Sequence, residues 1–420
     1  MQEVNKKLLA RSSKFLRKMQ GKPAWDFSQF VDDPRNKRGQ RWELNAILSA
    51  LLLGLITNRT SLRAVERLTE WSGKWLRKIF RRRVPDTTMY NTLEVSKPRG
   101  LRHQLHAQTH SLWRSKCLEP VALPCGIVSI DGKSLWTDKE IDDPNAQPVH
   151  PKDRPAYENL RVVRSVLISS GTKVAIDQIP IRSDTNDMGM FAEAFAALEA
   201  NYKSLYEICS VDAGFCSQAN AHLVADANKA YIMALKENQP QLWREAERLL
   251  GHLTEPELST DWECYQGKRI RYHLYRTSQI AGYLDWDHLK QVWRVEKEII
   301  DREGSRQTEN HYRLTNLHWG RLKPAQILMV VRNHWGIENN CFWSLDVVWN
   351  EDTKPWCTHN YALQVLGLLR LMAYNLVALL RFRYLRKRDE KQSWQEWFEL
   401  LYLIIINDKA CSSKRSTSGI

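Results

Sequence analysis

The chain has 420 residues, with 62 Lys and Arg against 48 Asp and Glu, a formal charge of +14. A composition that is 43% hydrophobic and 10% aromatic supports large buried cores and excludes a disordered basic tail. The length suggests about two to three domains, and the positive excess favours a polyanionic partner, nucleic acid ahead of a membrane surface.

Residues 1–118 read as a helical region. Leu44, Ile47, Leu48, Leu51, Leu52 and Leu55 recur at helical spacing, and Ser61 is an N-cap signal ahead of Leu62, Val65 and Leu68. The basic residues Arg77, Lys78, Arg81, Arg82 and Arg83 precede a turn and cap signal at Val84 to Thr88. Such a run suits a solvated helix end or a unit presenting cations to phosphates.

The pattern changes near Gly126. Ile127 to Ile130 is a short apolar strand ending in Asp131-Gly132, and Leu160 to Ser169 with Lys173 to Ile181 suggests a hairpin. A helix from Met188 to Tyr202 follows, then a strand, Tyr206 to Val211, ending at Asp212. Next come a helix (Gln218 to Asn228), a strand (Ala230 to Leu235) and a helix from Pro240. Mixed α/β architecture follows from that alternation. Residues 255–318 break it with Tyr- and Trp-rich segments, Arg269 to Thr277, Gln291 to Ile300 and His311 to Leu317, which read as an inserted β region. Helix returns at Pro324, runs through Trp343, and resumes over Asn360 to Arg386, leaving a flexible tail at Ser412 to Ile420.

The cysteines at 117, 125, 209, 216, 264, 341, 357 and 411 form no C-x-x-C pair, which fits a reducing cytosol better than a zinc ribbon or disulfide framework. Met1 to Arg17 is too charged for a signal peptide. The apolar run Leu44 to Thr57 is short for a bilayer, and Ala362 to Leu380 is interrupted by Arg370 and Asn375. The expectation is a soluble, cytoplasmic, nucleoid-associated protein with no membrane partner.

Two acids, Asp131 and Asp212, follow apolar strands, where α/β sheets place ligands. Neighbouring carboxylates there can hold a hard divalent cation, although Asp-Gly turns and helix caps explain either acid alone. A third acid is expected from Val330 to Asp352, where Glu338 lies one helical turn after His334. Spacing leaves Asp346, Glu351 and Asp352 open beside it.

The string HWGIEN at His334 to Asn339, continuing into Trp343 to Val347 and Glu351-Asp352, resembles the acidic-helix signature of bacterial insertion-sequence transposases of the H-repeat-associated (ISAs-type) group. Ile130-Asp131-Gly132-Lys133, Val211-Asp212-Ala213, Tyr231 to Gln239 and Asp33-Pro34-Arg35 resemble further strings of that group, in order, over about residues 30 to 380. Phe342 stands where the group usually has His, and the strings at Ser183 to Asp187 and Gln266 to Arg271 also depart from its pattern.

The resemblance implies an α/β, RNase H-like mixed sheet core with a β insertion, a helical N-terminal region and C-terminal helices. The corresponding boundaries are 1–118, 119–254, 255–318, 319–390 and 391–420. It implies a DDE site in which Asp131, Asp212 and Glu338, 81 and then 126 residues apart, hold two Mg2+ ions, with Mn2+ as a substitute. The expected activity is DNA end cleavage and strand transfer at terminal inverted repeats, by a homodimer or larger synapse on double-stranded DNA. The alternatives are an inactive or domesticated transposase-derived DNA-binding protein and a structure-selective nuclease on the same fold. Expected DNA contacts are Arg77, Arg81, Arg82, Arg83, Lys133, Lys268, Arg269, Arg271, His334 and Trp335. His334 has the alternatives of a phosphate contact or a residue that orients Glu338. Trp335 and Trp343, flanking Glu338, are the candidates for stacking on a base.

Overall fold

The computed structural model describes residues 6–19, 25–136, 146–149, 157–352, 356–357, 360–384 and 392–407. The expected tail at 412–420 and the basic residues at 385–391 lie outside them. The N-terminal region is helical, with α1 (Lys6–Met19), α2 (Leu44–Ile56), α3 (Leu62–Glu70), α4 (Asp86–Val95) and α5 (Pro98–Arg114). Helix α2 is apolar on every side and almost wholly buried, as expected of a central helix. Ser61 caps α3 by accepting from the Ala64 N–H at 3.2 Å. Arg77 to Arg83 lie beyond a 3-10 turn, Lys74–Leu76, in irregular chain rather than on a helix end.

The core strands are β1 (Ile127–Trp136), β2 (Ala146–Val149), β3 (Tyr157–Leu167), β4 (Val174–Pro180), β5 (Ile208–Val211) and β6 (Ala230–Leu235). Helices α6 (Phe191–Tyr202), α7 (Gln218–Asp226) and α8 (Pro240–Leu250) alternate with the later strands. Antiparallel pairing joins β4 to β3 and β3 to β1; parallel pairing joins β1 to β5 and β5 to β6. This order, β4-β3-β1-β5-β6, is that of an RNase H-like mixed sheet. The parallel pairs need crossover helices, which α6 and α7 supply. Gly126, just before β1, is required because a Cβ would lie 2.0 Å from the Leu205 carbonyl oxygen.

The region after α8 contributes β7 (Leu258–Ser259), β8 (Glu263–Tyr265), β9 (Lys268–Thr277), β10 (Gln291–Ile300) and β11 (Arg306–Thr315). These strands do not stand apart. Strand β11 pairs antiparallel with β6, Tyr312 opposite Leu235 through Thr315 opposite Ile232, so they extend the core sheet.

Helix α9 (Pro324–His334) leads into π-wound turns at Ile337–Phe342 and Ser344–Val348, then α10 (Asn360–Tyr384). The expected helix through Trp343 is therefore present, but wider than α geometry after His334. Among the described residues one helix, Tyr361–Phe382 within α10, is long and apolar enough to cross a membrane, yet it is almost entirely buried inside the fold, packed on α2, α5 and β4. Helix α11 (Trp394–Ile406) lies in the C-terminal segment, 391–420, to which no element had been assigned. Its sequence did hold a signal: Ser393 and Glu396 form a reciprocal capping box.

Candidate active site

Strand β1 does not end at Asp131, as its apolar stretch suggested. It continues to Trp136 along β3, while its parallel pairing with β5 stops at Ile130 opposite Val211. Asp131 and Asp212 therefore sit side by side where the two strands part. Asp131 accepts from the Gly132 N–H at 2.8 Å. Burial, then Glu338, with Asp212 and Asp187 adding, push its carboxyl up to about 7 against the pull of that hydrogen bond. Glu338 is exposed by area, yet its carboxyl is raised as well, first by lost hydration in the cleft and then by Asp212, with Lys236 opposing. These three acids thus share one electrostatic site.

Of the three rivals for the third position, none acts on the Asp131 or Glu338 carboxyl, and two are committed elsewhere. Asp346 is ion-paired to Lys133. Glu351 is fully buried and takes two hydrogen bonds from Arg164, at 2.7 and 2.8 Å. Lys133, expected beside the site, is accordingly engaged by Asp346 rather than presented to a phosphate. Phe342 is buried with the Lys133 ammonium and the Arg164 guanidinium each 5.8 Å from its ring centre.

His334 is also buried, which removes it from direct contact with a duplex. Its Nδ1 lies 2.9 Å from Ser210 Oγ and 3.3 Å from Ser129 Oγ. Burial and then Arg313, opposed by Asp212, lower its pKa to about 3, so the ring is neutral. Trp335 is 37% exposed, with its ring edge-on to His311 at 5.3 Å. Trp343, 49% exposed, lines a separate cavity of about 390 Å³ with Lys173, Arg381 and Trp394.

The distant basic candidates divide. Arg77 and Arg81 are exposed. Arg82 lies over the Trp42 ring at 4.3 Å and donates to the Arg41 carbonyl, while Arg83 pairs with Glu66 at 3.0 Å. Lys268 is exposed, Arg269 covers the Trp262 ring at 4.8 Å, and Arg271 is tied to Glu298. Arg83 and Arg271 are thus each held by an acid of this chain.

Three neighbours of the acids escaped the sequence reading. Asp187 pairs with Arg161 at 2.8 Å and packs so closely that a Cβ on Gly132 would lie 2.6 Å from its Oδ2. Arg313 is buried near Asp212, where burial lowers its guanidinium to about 10 against the acid's pull; its only sequence signal is a cation between Tyr312 and Leu314 at the end of a polar strand. Lys236 lines a cleft of about 540 Å³ with Asp212, Asn238 and Trp243.

Strand order and acid placement define an RNase H-like domain with acids at the β1–β5 fork. The chain belongs to the Transposase DDE domain family, whose profile matches residues 126–376. It is similar to "Putative transposase YncI" of Escherichia coli O157:H7, 23% identical over 222 residues, 50% of this chain and 54% of that protein. It is also similar to "H repeat-associated putative transposase YhhI" of Escherichia coli strain K12, 24% identical over 239 residues, 54% of this chain and 57% of that protein. The chain spans somewhat over half the length of these curated relatives. Among solved structures it is similar to a piggyBac transposase synaptic complex with hairpin DNA, with TM-score 0.44 and 10% identity over 96% of this chain and 78% of that one.

Proposed function

We propose that this chain is a DNA transposase that cuts at the terminal inverted repeats of its element and transfers the 3′ ends to target DNA. The observation that supports this most is the electrostatic coupling of Asp131 to Glu338 and Asp212, which adds to burial in raising the Asp131 carboxyl to about 7. Acids that repel one another at a strand fork fit a hard divalent cation, because cation binding relieves the repulsion. Among the described residues no group of three or more His, Cys, Asp or Glu is already assembled as a metal site, so binding would have to draw the carboxylates inward. Asp131, Asp212 and Glu338 would hold two Mg2+ ions, or Mn2+ in their place. Such a pair of ions, when bound, activates the attacking oxygen and stabilises the leaving one.

The protein's own task is then positional. Asp131 and Asp212 are held by β1 and β5, and Glu338 is delivered by the helix facing them. Lys236, exposed in the cleft beside Asp212, is placed to meet a phosphate. Arg77, Arg81 and Lys268 are exposed cations for the rest of the DNA. Joining two element ends requires both to be held together, so the working form is a homodimer or larger synapse on the bacterial chromosome, in the cytoplasm.

The test is cleavage and strand transfer on DNA carrying the element's ends, with Mg2+. Asp131→Ala, Asp212→Ala or Glu338→Ala should each abolish both reactions while DNA binding persists. Binding without any metal-dependent cleavage would instead indicate a transposase-derived binding protein. Cutting that ignores the ends and yields no joined product would indicate a nuclease.

A further inference from the structure

The two strands that carry Asp131 and Asp212 are in register, with Ser129 directly opposite Ser210. Residues two apart on a strand share a face, so these serines lie one step below the two acids. His334 reaches both hydroxyls through one atom, Nδ1, at 2.9 and 3.3 Å. Glu338 follows His334 by one turn of the same helical segment. We propose that His334 is a positioning residue: its seat on Ser129 and Ser210 fixes the rotation and depth of the acidic helix, so that Glu338 faces Asp131 and Asp212. This rests on the reading of those three acids as a metal-holding group.

The physical need for such a seat comes from the winding change. The chain is α-helical to His334 and π-wound from Ile337 to Phe342, and each wider turn alters the angle at which later side chains emerge. Apolar contacts from Ile337, Cys341 and Leu345 bury this segment but tolerate small rolls. A buried imidazole shared by two hydroxyls does not, since a slip would leave three polar groups unpaired away from water. The ring is neutral and buried, so it can lie under the acids without adding charge to their site.

The experiment measures Mn2+ binding to the full-length chain by calorimetry, with no DNA present. Variants are His334→Ala, His334→Asn, the pair Ser129→Ala with Ser210→Ala, Glu338→Gln, and His334→Ala combined with Glu338→Gln. His334→Ala and the serine pair should each weaken Mn2+ binding about tenfold, as loss of residues that orient metal ligands typically does. His334→Asn, which puts an amide group where Nδ1 stood, should recover most of the loss. Adding His334→Ala to Glu338→Gln should change affinity less than about twofold, because His334 acts through that carboxylate. A general loosening of the fold would instead weaken binding in both backgrounds and would not be repaired by Asn. If Glu338→Gln weakens binding but the serine pair does not, the positioning role is overturned and the metal-site reading stands. Should His334→Ala fail to fold, the serine pair decides alone. If the parent chain binds no Mn2+, or Glu338→Gln binds it equally well, the metal-site reading falls and the positioning role with it.

Discussion

Arg164 and Glu351 meet through two parallel hydrogen bonds, at 2.7 and 2.8 Å, with neither side chain exposed to solvent. The pair joins β3 to the chain that follows the acidic helix, and Gln178 on β4 accepts from the same guanidinium at 2.8 and 2.9 Å. Removing one partner strands a buried charge. Glu351→Gln or Arg164→Met should therefore cost about 3–5 kcal/mol, read as a lower urea midpoint at unchanged slope. In the double variant the loss should be well below the sum of the singles; an additive result would mean that the pair is not coupled.

The Asp131 carboxyl gives a stability effect of definite sign. Its folded pKa, about 7, exceeds the ordinary 3.8, so the folded state holds this proton more tightly than the unfolded one. The stability tied to it is full below about pH 4 and is lost as pH rises towards 7. Asp131→Asn should thus stabilise the metal-free protein at pH 8 by about 1–2 kcal/mol, short of the linkage limit because water reaches the cleft. Near pH 4 the difference should vanish. Thermal unfolding at the two pH values checks this, and Mg2+ at pH 8 should favour the parent chain instead.

Asp177 should show the opposite dependence. Burial alone would raise it, but hydrogen bonds from Arg102, at 2.7 Å, and His106, at 3.0 Å, bring its carboxyl down to about 2. Its contribution is present above about pH 4 and is lost as pH falls to 2. Since Arg102 and His106 belong to α5 and Asp177 to β4, acid should loosen the helical region from the sheet. Asp177→Asn should cost about 2–3 kcal/mol at pH 7 and flatten the acid limb of the stability profile.

Gly132→Ala is expected to disturb the site through Asp187. The new methyl would stand 2.6 Å from Oδ2 and 2.8 Å from Cβ of that residue, so Asp187 must shift and its bond to Arg161 must break or move. A loss of about 1–3 kcal/mol follows from overpacking of this kind. Mn2+ affinity should fall with it, whereas Gly320→Ala, with open space around its Cβ position, serves as the silent comparison.

For DNA, Arg77→Ala with Arg81→Ala should weaken binding uniformly across sequences. The log–log salt slope should drop by about 1.8, as expected for two lost phosphate contacts on a duplex. Arg83→Ala, which removes a residue paired with Glu66, should change the slope less.

Much of this fold was legible in the residues because periodicity reports burial directly. Strands β4 to β6 and β9 to β10, and helices α2 and α6 to α9, lie where apolar spacing put them, within a residue or a few. The course of β1 past Asp131 was hidden because Gly132, Lys133 and Ser134 look like a turn; pairing with β3 overrides that local preference. Helix α11 was missed although its capping box is plain in the sequence. At the site, Asp131, Asp212 and Glu338 were nameable from strand ends and a known helix signature. Ser129, Ser210, Asp187 and Arg313 were not, because their roles depend on which strands and helices become neighbours.

The unbroken pairing from β6 into β11 has a mechanical consequence. Main-chain hydrogen bonds run from the strand beside Asp212 out to β9, so the outer strands form a stiff lever arm rather than a swinging flap. Anything gripped by Lys268 is held at a set reach from Asp212, and a pull there is transmitted to the acids.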